Sequence, residues 1–347
     1  MQQVRLGRTN LHVGRLGFGG IPIQRVSRDR AVRLVREALD RGVTLFDTAR
    51  GYSDSEEKIG RALVHRRERT VIATKSPALD AKGMAEAIDT SLKNLRTDWV
   101  DLYQMHMLPS WDDFQRAISR GGALEALRRA RRQGKIRFIG VTSHSRDLLK
   151  RILSEAPEVF DTIQVPFNFV GDESGISLLP LARKRDVGFL AMKPFGGGIL
   201  ERPDLAFRYV LQYEGIVPIP GMESLRELRQ NVRLAQEAQP LSVAERKTLM
   251  GIRKKLGKRF CRKCNYCQPC PQGIVIHLAL GAGSLLKRFD RKVIAGWCRD
   301  VMRKATTCIK CGACEKRCPY HLPIRTLLEE NITLFRRGLK GMRIAWD

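Results

Sequence analysis

Nine cysteines crowd into the last quarter of a 347-residue chain, and eight of them fall into two short runs. The first is Cys261-x2-Cys264-x2-Cys267-x2-Cys270-Pro271; the second is Cys308-x2-Cys311-x2-Cys314-x3-Cys318-Pro319. The count is odd, and the first residues, Met-Gln-Gln-Val-Arg-Leu-Gly, lack the apolar core of a secretory signal. Both facts disfavour a disulfide framework and point to a cytoplasmic protein whose reduced thiols hold metal. No stretch approaches the ~20 apolar residues of a transmembrane helix. The confinement of the cysteines also divides the chain. Residues 1–240 and 241–347 are expected to form separate domains, which suits a prior of roughly 150 residues per domain.

Zinc normally takes two Cys-x2-Cys pairs set about a dozen or more residues apart, which would leave the third cysteine of each run unused. The second run instead matches the bacterial ferredoxin spacing residue for residue. In that pattern three thiolates grip one iron-sulfur cube, and the fourth, followed by Pro, reaches the neighbouring cube. The spacing therefore groups Cys261, Cys264, Cys267 and Cys318 on one [4Fe-4S] cluster and Cys308, Cys311, Cys314 and Cys270 on a second. The first run is one residue short in its last gap, which alters the crossover rather than the cube. Cys298 lies outside both runs and reads as a small buried hydrophobe on a helix with Trp297.

Ahead of residue 240 one unit repeats: a short apolar run followed by an amphipathic helix. The runs are residues 16–19, 44–47, 71–75, 101–106, 138–142, 162–166, 187–192 and 217–220. Helices are expected over 28–40, with Ser27 as N-cap, and over 124–132, ending before Gly134. Eight such units, with no early Gly-x-Gly-x-x-Gly, predict an α/β fold. It is a (β/α)8 TIM barrel with a C-terminal, mostly helical, ferredoxin-like iron-sulfur domain. Residues 3–14 should form a small lid of strands under the barrel. A capping box, Ser242-Val-Ala-Glu245, should start a basic helix reaching about residue 258.

Barrel chemistry sits at the C-terminal ends of strands. Those ends carry Asp47, Lys75 and His106, with Tyr52 five residues past Asp47. A carbonyl accepts hydride when a proton donor waits at its oxygen, and a phenol of pKa about 10 is a weak donor near neutrality. A lysine cation beside Tyr52 would favour the phenolate, Asp47 would hold Lys75 charged, and His106 would supply a second hydrogen bond.

These residues lie in stretches that resemble the aldo/keto reductase family. They are Val4-Arg-Leu-Gly-Arg-Thr-Asn, Gly42-Val-Thr-Leu-Phe-Asp-Thr-Ala-Arg-Gly-Tyr-Ser-Asp-Ser-Glu-Glu, Asp101-Leu-Tyr-Gln-Met-His, Gly134-Lys-Ile-Arg-Phe-Ile-Gly-Val-Thr-Ser, Gln164-Val-Pro-Phe-Asn and Ile219-Pro-Gly-Met-Glu-Ser. The cysteine tail resembles the branch of that family with a C-terminal ferredoxin-like extension. The resemblance implies a catalytic tetrad of Asp47, Tyr52, Lys75 and His106 and a nicotinamide cofactor, NADP(H) or NAD(H). It places Thr142, Ser143 and Gln164 at the nicotinamide, with Met192 where many members stack an aromatic ring. Gly221, Met222, Ser224, Gln230 and Asn231 fall at the adenosine end. Glu227 stands where many NADPH-specific members have Arg, which leaves the choice between the two nucleotides open.

Charge bears on partners. The chain carries a net +27, and residues 240–347 alone hold 24 Lys plus Arg against 7 Asp plus Glu. Such a surface suits an acidic redox partner, namely a ferredoxin, flavodoxin or flavoprotein subunit, or peripheral contact with an anionic membrane. Nucleic acid fits less well, because the basic residues are not interleaved with stacking aromatics. The expected activity is hydride transfer between nicotinamide and a small carbonyl or alcohol substrate, with two clusters coupling it to a one-electron carrier. The alternative is a non-catalytic redox-sensing or electron-transfer subunit. An intact tetrad favours the first.

Overall fold

In the computed structural model the chain opens with an antiparallel hairpin, β1 (Gln3–Arg5) on β2 (His12–Gly14). The structure describes residues 1–171, 176–198, 200, 202–263, 266–289 and 291–340. Eight parallel strands follow: β3 (Phe18–Gly19), β4 (Leu45–Asp47), β5 (Val71–Ser76), β6 (Val100–Met105), β7 (Ile136–Thr142), β8 (Thr162–Pro166), β9 (Gly188–Met192) and β10 (Ile216–Ile219). They lie side by side in chain order. The sheet closes where Gly17 N and Gly19 N each donate, at 2.9 Å, to Pro218 O and Pro220 O. Each of the eight apolar runs thus supplies one strand of a TIM-like barrel. Every residue of β5 and β6 is buried, as expected of parallel strands with helices on their outer face.

Boundaries shift by a residue or two. β6 ends at Met105, so His106 stands just past the strand, although its N–H still donates to Ser76 O at 2.9 Å and prolongs the ladder. Helix Arg28–Asp40 buries Ala31, Leu34, Val35, Ala38 and Leu39, one stripe at helical spacing. Ser27 occupies its N-cap position, but its hydroxyl makes no capping hydrogen bond, so the expected capping chemistry is absent there. Leu6, Leu11 and Val13, from the hairpin and its turn, pack with Leu45, Val71 and Leu102 from within the barrel.

The chain divides into two compact units, one built from Met1–Gly196 and Arg202–Leu241, the other from Gly197–Glu201 and Ser242–Asp347. The second begins with the capping box: Glu245 N donates to Ser242 Oγ at 3.2 Å and Ser242 N to Glu245 Oε2 at 2.8 Å. They start helix Val243–Gly257. Helices Ile276–Ala279, Ala282–Arg288 and Arg291–Ala305 separate the cysteine runs, and Ile324–Gly338 follows them. Ile276, Leu285, Ile294, Met302, Leu327 and Phe335 form this unit's core together with Cys267, Cys298, Cys314 and Cys318.

Candidate active site and cluster site

Side chains alternate along a strand, so one column of each barrel strand faces inward. Near the N-terminal ends those columns are apolar: Leu45, Val71, Leu102, Phe138, Leu190 and Val217 belong to one cluster. Toward the C-terminal ends they turn polar. Asp47 closes β4, Lys75 lies near the end of β5, and Lys75 pairs in register with Gln104, Gln104 with Gly140, and Thr142 with Gln164. Asp47, Lys75, Gln104, Thr142 and Gln164 are all at least 97% buried.

Lys75 Nζ reaches Asp47 Oδ2 at 2.6 Å, Asp47 Oδ1 at 2.7 Å and Thr48 O at 2.7 Å. Its three protons therefore all have acceptors, and it lies 5.4 Å from the centroid of the Tyr52 ring. Burial pushes the Asp47 carboxyl up and the Lys75 ammonium down; each is opposed by the charge of the other, and Gln164 and Gln104 add hydrogen bonds that favour the carboxylate. The Tyr52 and His106 rings meet edge-on at 82°, centroids 5.7 Å apart. His106 is half-buried, and its pKa is pushed down to about 3 by burial and by the cations of Lys75 and Lys193. The structure thus brings all four expected catalytic side chains to one rim.

Sequence reading did not single out Gln104. Its amide donates to Gln164 Oε1 at 3.0 Å and toward Asp47 Oδ2 at 3.4 Å, linking the carboxylate to β8. Its own Oε1 has no partner among the described residues, a cost of holding the amide in that direction. The available signal was its position, two residues before His106 on a strand of period two. Glu56 also escaped notice. Fully buried, it accepts from Thr74 Oγ1 at 2.7 Å, Arg50 at 2.8 Å and Asn94 at 3.1 Å, and so anchors the segment that carries Tyr52 beside β5.

Thr142 and Ser143 shape the chain beyond His106. Thr142 Oγ1 accepts from Met107 N at 2.8 Å; Ser143 Oγ donates to Leu108 O at 2.8 Å and accepts from Ser145 N at 3.0 Å. Met192 ends the inward column of β9, half-buried. Past β10, a Cβ on Gly221 would fall 2.6 Å from Pro22 Cγ, so the close approach of these segments requires glycine. Ser224 caps helix Leu225–Gln236 by accepting from Glu227 N at 3.2 Å, and Glu227 folds back to accept from Glu223 N at 2.8 Å. A carboxylate therefore already sits at this helix N-terminus. Met222 is wholly buried and Gln230 is exposed. Asn231 is 96% buried.

In the second unit Cys270, Cys308, Cys311 and Cys314 line one cavity, with Ile309, Arg317 and Arg325 among its other walls. Four thiols from two distant segments thus line one space, although among the described residues no three His, Cys, Asp or Glu side chains converge closely enough to hold a single metal ion. The paired runs also share a backbone device: Lys263 and Lys310, each directly before the second cysteine of its run, adopt left-handed φ of 61° and 55°. Of the other set, Cys267 and Cys318 are buried and Cys261 half-buried; Cys264 lies outside the described residues.

Comparison with known proteins agrees with this geometry. Residues 11–205 match the model of the aldo/keto reductase family, and residues 260–322 match that of the 4Fe-4S dicluster domain. The chain is 31% identical to the aldo-keto reductase YhdN of Bacillus subtilis over 58% of its own length and 64% of that protein. It is also 31% identical to L-galactose dehydrogenase of Arabidopsis thaliana, over 56% and 66%. It thus spans just under two thirds of the length of each of these two relatives. Among solved structures, an aldo-keto reductase from Klebsiella pneumoniae in complex with NADPH superposes with a TM-score of 0.63 at 25% identity, covering 72% of this chain and 94% of that one.

Proposed function

The chain belongs to the aldo/keto reductase family, and from that premise we propose that its barrel interconverts a small carbonyl compound and the corresponding alcohol with NADPH or NADH. It is an oxidoreductase of aldo-keto reductase type that also carries a 4Fe-4S domain. One arrangement supports the reaction most directly: the Lys75 ammonium, fixed by both oxygens of Asp47, faces the Tyr52 ring at 5.4 Å, with His106 edge-on to the same ring.

In this reading the carbonyl oxygen rests between the Tyr52 hydroxyl and the His106 ring. Tyr52 gives its proton to that oxygen as negative charge develops, and the nearby Lys75 cation stabilises the phenolate left behind. Asp47 keeps Lys75 charged and fixes its place. His106, neutral at ordinary pH, offers an N–H to the same oxygen without adding a second proton source.

Bound NADPH or NADH supplies the hydride. Thr142, Ser143, Gln164 and Met192 would hold its nicotinamide end, and Gly221, Met222, Ser224, Gln230 and Asn231 its adenosine end. Two [4Fe-4S] clusters, one on Cys261, Cys264, Cys267 and Cys318 and one on Cys270, Cys308, Cys311 and Cys314, would supply one-electron steps toward an acidic carrier. Nicotinamide gives up two electrons together as hydride and each cluster takes one, so exchange between them calls for a flavin or other splitter, which a flavoprotein partner subunit would supply. The proposed compartment is the cytoplasm.

The test is anaerobic purification with iron and sulfide, followed by titration with NADPH and NADH while cluster absorbance and paramagnetic resonance are recorded. Cluster reduction by either nucleotide supports coupling; clusters that respond only to dithionite count against it. In parallel, Tyr52→Phe should lower carbonyl turnover by about 10²–10⁴-fold while nucleotide binding persists. Unchanged turnover would remove the catalytic reading.

A further inference from the structure

We propose that the cavity lined by Cys270, Cys308, Cys311 and Cys314 is the protein's electron port, and that an acidic one-electron carrier protein docks on the surface centred on Ile309. This rests on the assignment of those four sulfurs to one [4Fe-4S] cluster.

In the port set Cys311 is exposed, Cys270 and Cys308 are half-buried and Cys314 is buried; of the described residues of the other set, Cys261 is half-buried and Cys267 and Cys318 are buried, so the one exposed cysteine among the described ligands belongs to the port. Electron transfer between proteins weakens steeply with distance, so a carrier that meets the surface at Cys311 would exchange with the first set.

The surface around that set has the makings of a transient interface. Ile309, between Cys308 and Lys310, lines the cavity yet is 59% exposed. Cations line this cavity or lie next to the segments that line it. Arg317 and Arg325 line the same cavity, Lys310 is exposed, and the Lys304 side chain lies 3.6 Å from where a Cβ on Gly273 would stand, in the turn closed by Gly273 N on Cys270 O. Arg325 and Lys310 are paired with Glu315 and Glu329, each at 2.8 Å. Arg317 donates only to the carbonyls of Pro269 and Ala313, so no carboxylate offsets its charge among the described residues. An apolar centre within a charged rim is the usual anatomy of a non-obligate interface, and the sign of the rim selects an acidic partner. A single exposed isoleucine offers no ring for base stacking, which argues against single-stranded nucleic acid as the occupant. The step itself is simple: one electron leaves the reduced carrier and reduces the oxidised cluster by one, with no bond or proton changing hands.

The experiment uses the full-length protein with its clusters loaded. The binding probe is an oxidised plant-type [2Fe-2S] ferredoxin, followed by calorimetry at low salt so that no electron moves. Ile309→Asp and Lys304→Glu, made separately, should each weaken binding at least about tenfold and slow cluster reduction by reduced ferredoxin in parallel. Iron content and resonance signals should stay at parental values. Val293→Asp, at another exposed apolar side chain of the same unit, should change neither. Parental binding and reduction rates in both port variants, with their clusters intact, would overturn the port while leaving coupling to a carrier in place. Retention on phosphatidylglycerol vesicles with no affinity for ferredoxin would also overturn it. If the parent's clusters accept electrons from dithionite but from neither ferredoxin nor flavodoxin, the coupling reading fails and the port falls with it.

Discussion

Lys75 and Asp47 form a closed pair inside the barrel: Nζ lies 2.6 and 2.7 Å from the two carboxylate oxygens, and its third proton goes to Thr48 O at 2.7 Å. Both residues are at least 97% buried. Each charge is tolerable there only because the other is present, so removing one partner strands the other. Lys75→Met and Asp47→Leu should each lower stability by about 3–5 kcal/mol, whereas the double replacement should recover much of that loss. None of the three should retain carbonyl turnover. Denaturant unfolding of the four proteins measures this; a double variant as unstable as the sum of the singles would show that the pair is not an energetic unit.

His106 makes a prediction about pH. Its folded pKa of about 3 lies below the ordinary 6.5 of the unfolded chain. Between those values the unfolded state binds a proton that the folded state refuses. The stability due to this depression is present in full above pH 6.5 and is lost as pH falls toward 3, by up to about 1.4 kcal/mol per pH unit. His106→Phe should flatten that acid limb between pH 6.5 and 4.5 in urea unfolding. An identical slope in the variant would mean that His106 titrates normally.

Much of this was legible in the sequence because two periods carry it. Asp47, Lys75 and His106 stand at the ends of apolar runs, which is enough to place them on one rim once eight units close a barrel. Cys270 was grouped with Cys308, Cys311 and Cys314 by spacing alone, and the four line one cavity. What the sequence hid are relationships between strands. That Gln104 lies beside Lys75 depends on parallel register, which no local pattern encodes. That Glu56 holds the Tyr52 segment depends on Arg50, Thr74 and Asn94 converging from separate elements. Ser27 shows the opposite failure: the right residue at the right position, without the bond that usually explains it.

Gly140 tests the role of Gln104. It is the register neighbour of Gln104, and a Cβ there would fall 2.9 Å from Gln104 Cγ and 2.4 Å from Thr162 Oγ1. Both side chains would have to yield, which should turn the Gln104 amide away from Asp47 and Gln164. Gly140→Ala is therefore expected to lose turnover, by about tenfold or more, while Tyr52 and Lys75 remain in the chain. Gln104→Glu should behave worse than Gln104→Met, because a second carboxylate would face Asp47. The pH dependence of kcat separates the two: an added basic-side shift for Glu alone supports electrostatic contact with Asp47, and identical profiles would leave Gln104 as packing only.

Cys298 and Cys311 should part company under chemical test. Cys298 is 4% exposed in the core of the second unit, and burial pushes its thiol up to about 11. A protonated, inaccessible thiol is a poor nucleophile. Intact protein at pH 8 should therefore leave Cys298 unmodified by iodoacetamide, and Cys298→Ala should keep its full iron, about eight per chain if both clusters are present. Cys311 is exposed on the rim of the cavity it shares with Cys270, Cys308 and Cys314. Cys311→Ser should lose about four irons, along with one of two resonance signals, because one cube loses a thiolate while the other keeps its set. Iron analysis with peptide mapping decides the matter: loss of iron from the Cys298 variant, or retention of all of it by the Cys311 variant, would reverse the assignment of these two residues.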